Sequence, residues 1–281
     1  MSSITARVPI VDWDKGFHKH WNGGDVSATH AFDALSFMFP QGERFFIRVA
    51  KEVSQQNKAL LTQSLKEDLQ EFILQEAMHT GYHESYNQIL QQHGYKNGAY
   101  NFIESLDRMA KKYLAPIHKL AIVCAWEHYT AILGGYLLKN PMVLNDAPLQ
   151  MRLIWQWHAA EETEHKAVCF DLYKQVGGSW LRRVSAFLQV SINFILIFSC
   201  LYCSMLWRDG SFRVKRLPKT LYQSARFFCG RKGVVWYVLV HGLKYLSPHF
   251  HPWQQNNKDL LKVWLADNHN HLKKVVKRNG L

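Results

Sequence analysis

The chain has 281 residues, 48% of them hydrophobic and 20% charged, which suits one large folded domain with or without an extension and excludes long disorder. Thirty-four Lys and Arg against 22 Asp and Glu give +12, a surplus that favours an anionic partner. Five cysteines without a framework spacing exclude a disulfide scaffold and are expected as buried thiols in a reducing compartment. The first residues, MSSITARVPIVDWDKGFH, lack the apolar core of an export signal.

Residues 1–27 read as irregular. A short helix is expected from Thr29 to Met38, broken at Phe39-Pro40, with Pro40 opening a first main helix through GERFFIRVAKEVSQ. The second runs from about Ser64 to His93, begun by the capping-box spacing Ser64–Glu67 and closed by Gly94. The third spans about Met109 to Leu138, with a kink at Pro116 and an end at Asn140-Pro141. The fourth spans about Pro148 to Val176 and stops at Gly177-Gly178. Beyond it, Val184 to Trp207 form 24 residues without a charge, preceded by Arg182 and Arg183 and followed by Arg208, Arg213, Lys215 and Arg216. Such a segment can span a bilayer, lie in its interface or form a buried central helix, and contact with an anionic membrane is the expectation. An amphipathic tail from Asn257 to Gly280 ends the chain. The division expected is a four-helix bundle at 28–178 and a helical, membrane-associated extension at 179–281.

The chemistry lies in a twofold echo. The second helix holds QEAMHTGYHESYN and the fourth HAAEETEHKA, each with a Glu-x-x-His pair: Glu76 with His79, and Glu162 with His165. At about 100° per residue, Glu76, His79 and His83 fall within an arc of about 60°, as do His158, Glu162 and His165. Phe72, Ile73, Trp155, Cys169 and Leu172 lie on or near the same sectors. Ionised carboxylates among such residues are costly to bury unless something compensates, and a divalent metal does so through carboxylate oxygen and imidazole nitrogen. Glu43 in FPQGERFFIRV and Glu127 in CAWEHYTAILGG supply one further acid each. The order Glu, Glu-x-x-His, Glu, Glu-x-x-His over four helices is the recipe of di-iron and di-manganese carboxylate bundles. A buried salt-bridge network is the alternative. His83 and His158 are extra ligands, outer hydrogen-bond partners or packed core histidines. Glu161 and Glu164 orient ligands or face water, and His128 points about 100° away from Glu127.

The stretches FPQGERFF, QEAMHTGYHESYN, WEHYTA and WHAAEETEH, spread over about residues 30–175, resemble the bacterial family of predicted metal-dependent hydrolases, which is similar in pattern to the ferritin-like superfamily. The resemblance implies an all-α, ferritin-like four-helix bundle with two metal ions at Glu43, Glu76, His79, Glu127, Glu162 and His165. Iron is the expected metal, with manganese and zinc as alternatives. No G-x-S-x-G or H-E-x-x-H motif accompanies it. The activity expected is oxidation of a hydrophobic or lipid-like substrate at a di-iron centre, with dioxygen as co-substrate and an electron donor as partner. Hydrolysis of an ester or phosphoester is the alternative, and a non-catalytic metal-binding bundle a further one. No nucleic-acid motif is present. The expected location is the cytoplasmic side of the inner membrane. Catalytic residues beyond the ligands and the oligomeric state are left open.

Overall fold

The computed structural model describes residues 4–275, so residues 1–3 of the expected irregular stretch and residues 276–280 of the expected amphipathic tail lie outside the described residues. The protein is all-α, with one short strand pair among the described residues. Helix α1 (Val26–Gln56) starts at Asp25, whose carboxylate caps Ala28 N–H at 3.0 Å. It runs unbroken through Pro40, contrary to the expected break. Proline inside a helix leaves the carbonyl four residues back without its donor; here Ser36 O accepts Asn87 Nδ2 at 2.9 Å. Helix α2 (Gln63–Gln92) is capped by Thr62 and not by Ser64, because Thr62 Oγ1 accepts Leu65 N–H at 3.3 Å. Gly94, at φ +88°, follows its end.

The kinked third helix is in fact two. Helix α3 covers Tyr100–Tyr113 and α4 covers Pro116–Lys139, with Ala115 extended at φ −61° and ψ 148°. A residue before proline is pushed out of the helical region, and proline then serves as a first helical residue. The fourth expected helix is also divided, into α5 (Leu149–His165) and α6 (Val168–Gln175). The interruption falls just after His165, where Lys166 Nζ donates to Gln255 O at 2.7 Å and Asn257 Oδ1 at 2.6 Å.

Helices α1, α2, α5 and α4 form a ring, each packed on the next. At the α4–α5 contact, a Cβ on Gly134 would lie 2.8 Å from Ala159 O, so only glycine allows this approach. Helix α7 (Trp180–Arg208) packs on α1 and α4 through Ala186, Phe187, Val190, Ile197, Leu201 and Met205. Among the described residues it is the one helix long and apolar enough to cross a membrane. Helices α8 (Leu217–Cys229), α9 (Val234–Gly242) and α10 (Lys258–Asn268) pack on α1, α4 and α5 respectively. Strand β1 (Arg7–Pro9) pairs antiparallel with β2 (Leu272–Lys274), Val8 opposite Lys273, and β1 lies on α5. Cys124 and Cys169 are buried as expected, whereas Cys200, Cys203 and Cys229 are exposed on α7 and α8; all five are free thiols. The outer face of α7 is apolar yet open, so apolar context there does not imply burial.

Replacing Asn87 by Ala removes the partner of Ser36 O and the acceptor of the Ser36 hydroxyl. The stability to urea is expected to fall by about 1–3 kcal/mol with an unchanged slope. A fall of less than about 0.5 kcal/mol would show that the gap at Pro40 needs no side-chain donor.

Candidate metal centre

The four ring helices each deliver their acids to one point. Glu43 comes from α1, Glu76 and His79 from α2, Glu127 from α4, and Glu162 and His165 from α5. None is more than 2% exposed. His165 Nε2 lies 3.1 Å from Glu76 Oε1, 3.4 Å from Glu127 Oε2 and 3.3 Å from Glu162 Oε2. Glu43, Glu76 and His79 form a neighbouring group whose ligand atoms lie within 4.8 Å of one another. Glu76 belongs to both groups, and His79 Nδ1 reaches to 3.7 Å from Glu162 Oε1.

Hydrogen bonds behind the cluster aim it. Gln75 Nε2 donates to Glu164 Oε2 at 2.7 Å and Thr5 O at 3.2 Å, which leaves Gln75 Oε1 to accept His165 Nδ1–H at 3.0 Å. His165 therefore turns the lone pair of Nε2 toward three carboxylates. His79 Nε2 lies 3.0 Å from Glu161 Oε2; with one proton between them, Nδ1 offers its lone pair to the cluster. Glu161 is fixed in turn by Arg7 N–H at 2.7 Å, and Glu164 by Thr5 N–H at 3.2 Å and by the Arg7 guanidinium. Thr80 Oγ1 donates to Glu43 Oε2 at 2.9 Å. Glu161 and Glu164 thus orient rather than face water. Gln75, Thr80 and the Thr5–Arg7 segment were not foreseen. A polar Gln75 on the same apolar helix as Glu76 was the one visible signal; Thr5–Arg7 carries none.

Without a cation this convergence is unfavourable. Both oxygens of Glu76 and of Glu127, one oxygen each of Glu43 and Glu162, His79 Nδ1 and His165 Nε2 are buried with no hydrogen-bond partner. Each such atom costs of the order of 1–3 kcal/mol, more if charged. Burial pushes the carboxyls of Glu43, Glu76 and Glu127 well above the usual range, and repulsion from Glu162 adds to it. Burial opposes ionisation of Glu162 too, but positive charge at His165 and the hydrogen bond from His158 outweigh it and hold that carboxyl well below the usual range; a cation in place of the His165 proton would act in the same sense. Burial also drives His79 well below the ordinary imidazole value and lifts Glu161 to about 8. Orphaned lone pairs, carboxylates and neutral imidazole are what divalent cations bind, so the donor set fits a metal. A second cluster, His20, His30 and Asp209, differs: Asp209 is satisfied by Tyr95 OH at 2.6 Å, Lys19 Nζ at 2.8 Å and His30 Nε2 at 2.7 Å. It fastens the end of α7 to α1.

His158 offers a ligand atom within 4.8 Å of those of His79 and Glu162, and with His83 it groups in the same way with Glu43, so the structure brings both expected extra histidines to the cluster. They also form a buried chain. The Ser36 hydroxyl donates to Asn87 Oδ1, so it accepts His83 Nδ1–H at 2.9 Å; His83 Nε2 then accepts His158 Nδ1–H at 2.7 Å. His158 Nε2 meets Glu162 Oε1 at 3.0 Å, and one proton lies between them. His128 is buried away from the cluster, stacked on Tyr245 at 4.6 Å. Two cavities of about 350 Å³ each reach the cluster from the α7 side. One runs past Ile103, Leu106 and Phe194 to Glu43 and Glu162; the other runs past Leu133, Phe194 and Leu239 to His158 and Glu162.

Fold and site together define an all-α protein with buried Glu and His groups able to hold metal. The chain belongs to the family described as predicted metal-dependent hydrolase, whose model matches residues 5–256. That match begins at the segment that braces Glu161 and Glu164, and it includes α7, α8 and α9. No curated protein and no solved structure matches the chain.

Gln75→Leu leaves His165 without its acceptor while keeping the side chain's bulk. Metal affinity, measured by competition with a coloured chelator, is expected to drop about 10–100-fold with helical content unchanged. Unaltered affinity would mean that His165 is not oriented through Gln75.

Proposed function

We propose that the protein is a hydrolase carrying two divalent metal ions on Glu43, Glu76, His79, Glu127, Glu162 and His165, and that it cleaves an ester or phosphoester bearing a long apolar chain. The observation that carries this reading is the meeting of the cluster with two apolar cavities at Glu162. The family supports hydrolysis, and Glu76 is shared by two neighbouring groups of donors, as two ions held close together would require. When bound, a pair of such ions polarises the scissile group and makes water acidic enough to attack at neutral pH.

The chain's own residues do the rest. The cavity walls take the apolar part of the substrate and exclude bulk water, so water is confined to the polar floor. Gln189 and Asn193, polar side chains on the first cavity's wall, can donate to a carbonyl or phosphoryl oxygen. Glu162 and His158 hold one proton between Oε1 and Nε2, and His83 and Ser36 keep that pair in line. A proton can thereby pass to a leaving group near Glu162 without reaching bulk solvent.

A second reading rests on the donor set. Carboxylate from each of four helices and imidazole from two is the arrangement of ferritin-like di-iron bundles, and apolar walls suit oxygen-dependent oxidation of a hydrophobic substrate, with dioxygen and an electron donor as partners. Iron, manganese and zinc all accept these donors.

The two readings separate under anaerobic conditions. Manganese- or zinc-loaded protein is expected to hydrolyse p-nitrophenyl esters or phosphoesters without oxygen, with kcat/KM rising along the series from acetyl to palmitoyl. Glu162→Gln should lower kcat by about 100-fold or more. Absence of anaerobic turnover, with oxygen uptake by the iron-loaded form, would replace hydrolysis by oxidation.

A further inference from the structure

The outer face of α7 is built unlike a surface helix of a water-soluble protein. Leu188, Ile192, Ile195 and Leu196 are between 53% and 62% exposed, and no charged side chain lies among them from Val184 to Trp207. A helix that faces water is normally polar on its open side, and an exposed apolar patch of this kind marks an interaction site. Helix α9 adds Trp236 and Leu239, which are 55% and 48% exposed.

The charge of the chain segment that carries this face is one-sided. Between residues 172 and 258 there are thirteen Lys and Arg and one acid, Asp209, a surplus equal to the +12 of the whole chain. The lone acid is already engaged by Lys19, His30 and Tyr95. Arg213, Lys215, Lys219, Arg231 and Lys232 are exposed on the turns and helix that join α7 to α9, and none forms an ion pair among the described residues. Apolar side chains beside unpaired cations match an anionic lipid surface, since each such cation adds its own attraction near it.

The cavities connect that face to the cluster. Both are lined by Phe194 of α7 and by Glu162, and α7 supplies part of each wall. At their outer ends they include exposed apolar residues: Met109 and Tyr113 of α3 in one, Ile195 and Leu239 in the other. Spanning the bilayer would pull α7 from α1 and α4, open both cavities and expose Phe187, Val190 and Ile197, all now at most 4% exposed. Lying in the interface leaves that packing intact and sets the cavity mouths against the acyl region.

We propose that the α7–α9 face rests on an anionic bilayer and that an amphiphile leaves the membrane head-first through the cavities beside α7, its polar end meeting Glu43 and Glu162 and its chain filling the cavity behind. The inference rests on the reading of that cluster as the reacting end, and it names the substrate class as a membrane lipid or its single-chain derivative. Nucleic acid and a second copy of the chain are the competing occupants of the same face.

The full metal-loaded chain is tested in flotation with vesicles of phosphatidylglycerol and phosphatidylcholine, and with vesicles of phosphatidylcholine alone. Binding to the mixed vesicles should be at least tenfold stronger and should fall with salt. Ile192→Glu with Ile195→Glu, on the open face, should abolish it, while Lys215→Glu with Lys219→Glu should weaken it about tenfold. Palmitate binding, followed by calorimetry, should be reduced about tenfold by Leu133→Trp, which fills both cavities, with metal content unchanged by elemental analysis. Failure of the cluster as a metal centre would appear as missing metal with vesicle and palmitate binding retained, and would leave the docking face standing. Equal affinity for neutral and anionic vesicles, preference for an oligonucleotide over vesicles, or dimerisation that Ile192→Glu with Ile195→Glu disrupts in a chain that ignores vesicles would each overturn the proposal. So would palmitate affinity unmoved by Leu133→Trp.

Discussion

Four carboxylates facing one another inside an apolar ring of helices set the conditions for the rest of the molecule. Water cannot solvate Glu43, Glu76, Glu127 or Glu162, and repulsion among them grows as the surroundings become less polar. Protons or cations must therefore supply the missing positive charge. The imidazoles cannot do so alone, since burial keeps His79 neutral. Their hydrogen bonds to Glu161 and Gln75 instead turn bare nitrogens inward, where a cation would meet them.

That requirement divides the protein into two sides. On one, the N-terminal segment and its strand partner near the C-terminus close over Glu161, Glu164 and Gln75 with backbone and guanidinium donors. On the other, the cavities reach Glu162 between apolar walls, and no comparable polar shell intervenes. Bracing is polar and access is apolar, so a substrate that reaches the cluster through the cavities has to bring an apolar portion. Helix α7 belongs to both arrangements: it forms cavity walls, and the Asp209 network fixes its end to α1.

The core of the site was legible because helical spacing brings residues three apart to one face. Glu76 with His79 and Glu162 with His165 could be paired from their positions alone, and the unusual apolar surroundings of Glu43 and Glu127 drew those acids into the same set. Helix ends were less legible. At Pro40 the carbonyl of Ser36 that the proline frees is met by Asn87, 47 positions along the chain, and no local rule contains that contact. Pro116, by contrast, followed the local preference fully and separated two helices. The braces at Thr5–Arg7 escaped notice because backbone N–H groups carry no side-chain signature. The exposure of Cys200 and Cys203 escaped it for a related reason: an apolar run reads the same whether it faces a core, a cavity or a membrane.

The central claim is that the carboxylates are held together by bound cations. Elemental analysis of chain purified without added metal tests it most directly, beside the same measurement on His165→Ala. The account predicts close to two ions per chain, falling to one or fewer in the variant while circular dichroism shows the helices retained. A folded chain that binds no metal whichever ion is offered, or a His165→Ala variant with full occupancy, would contradict it.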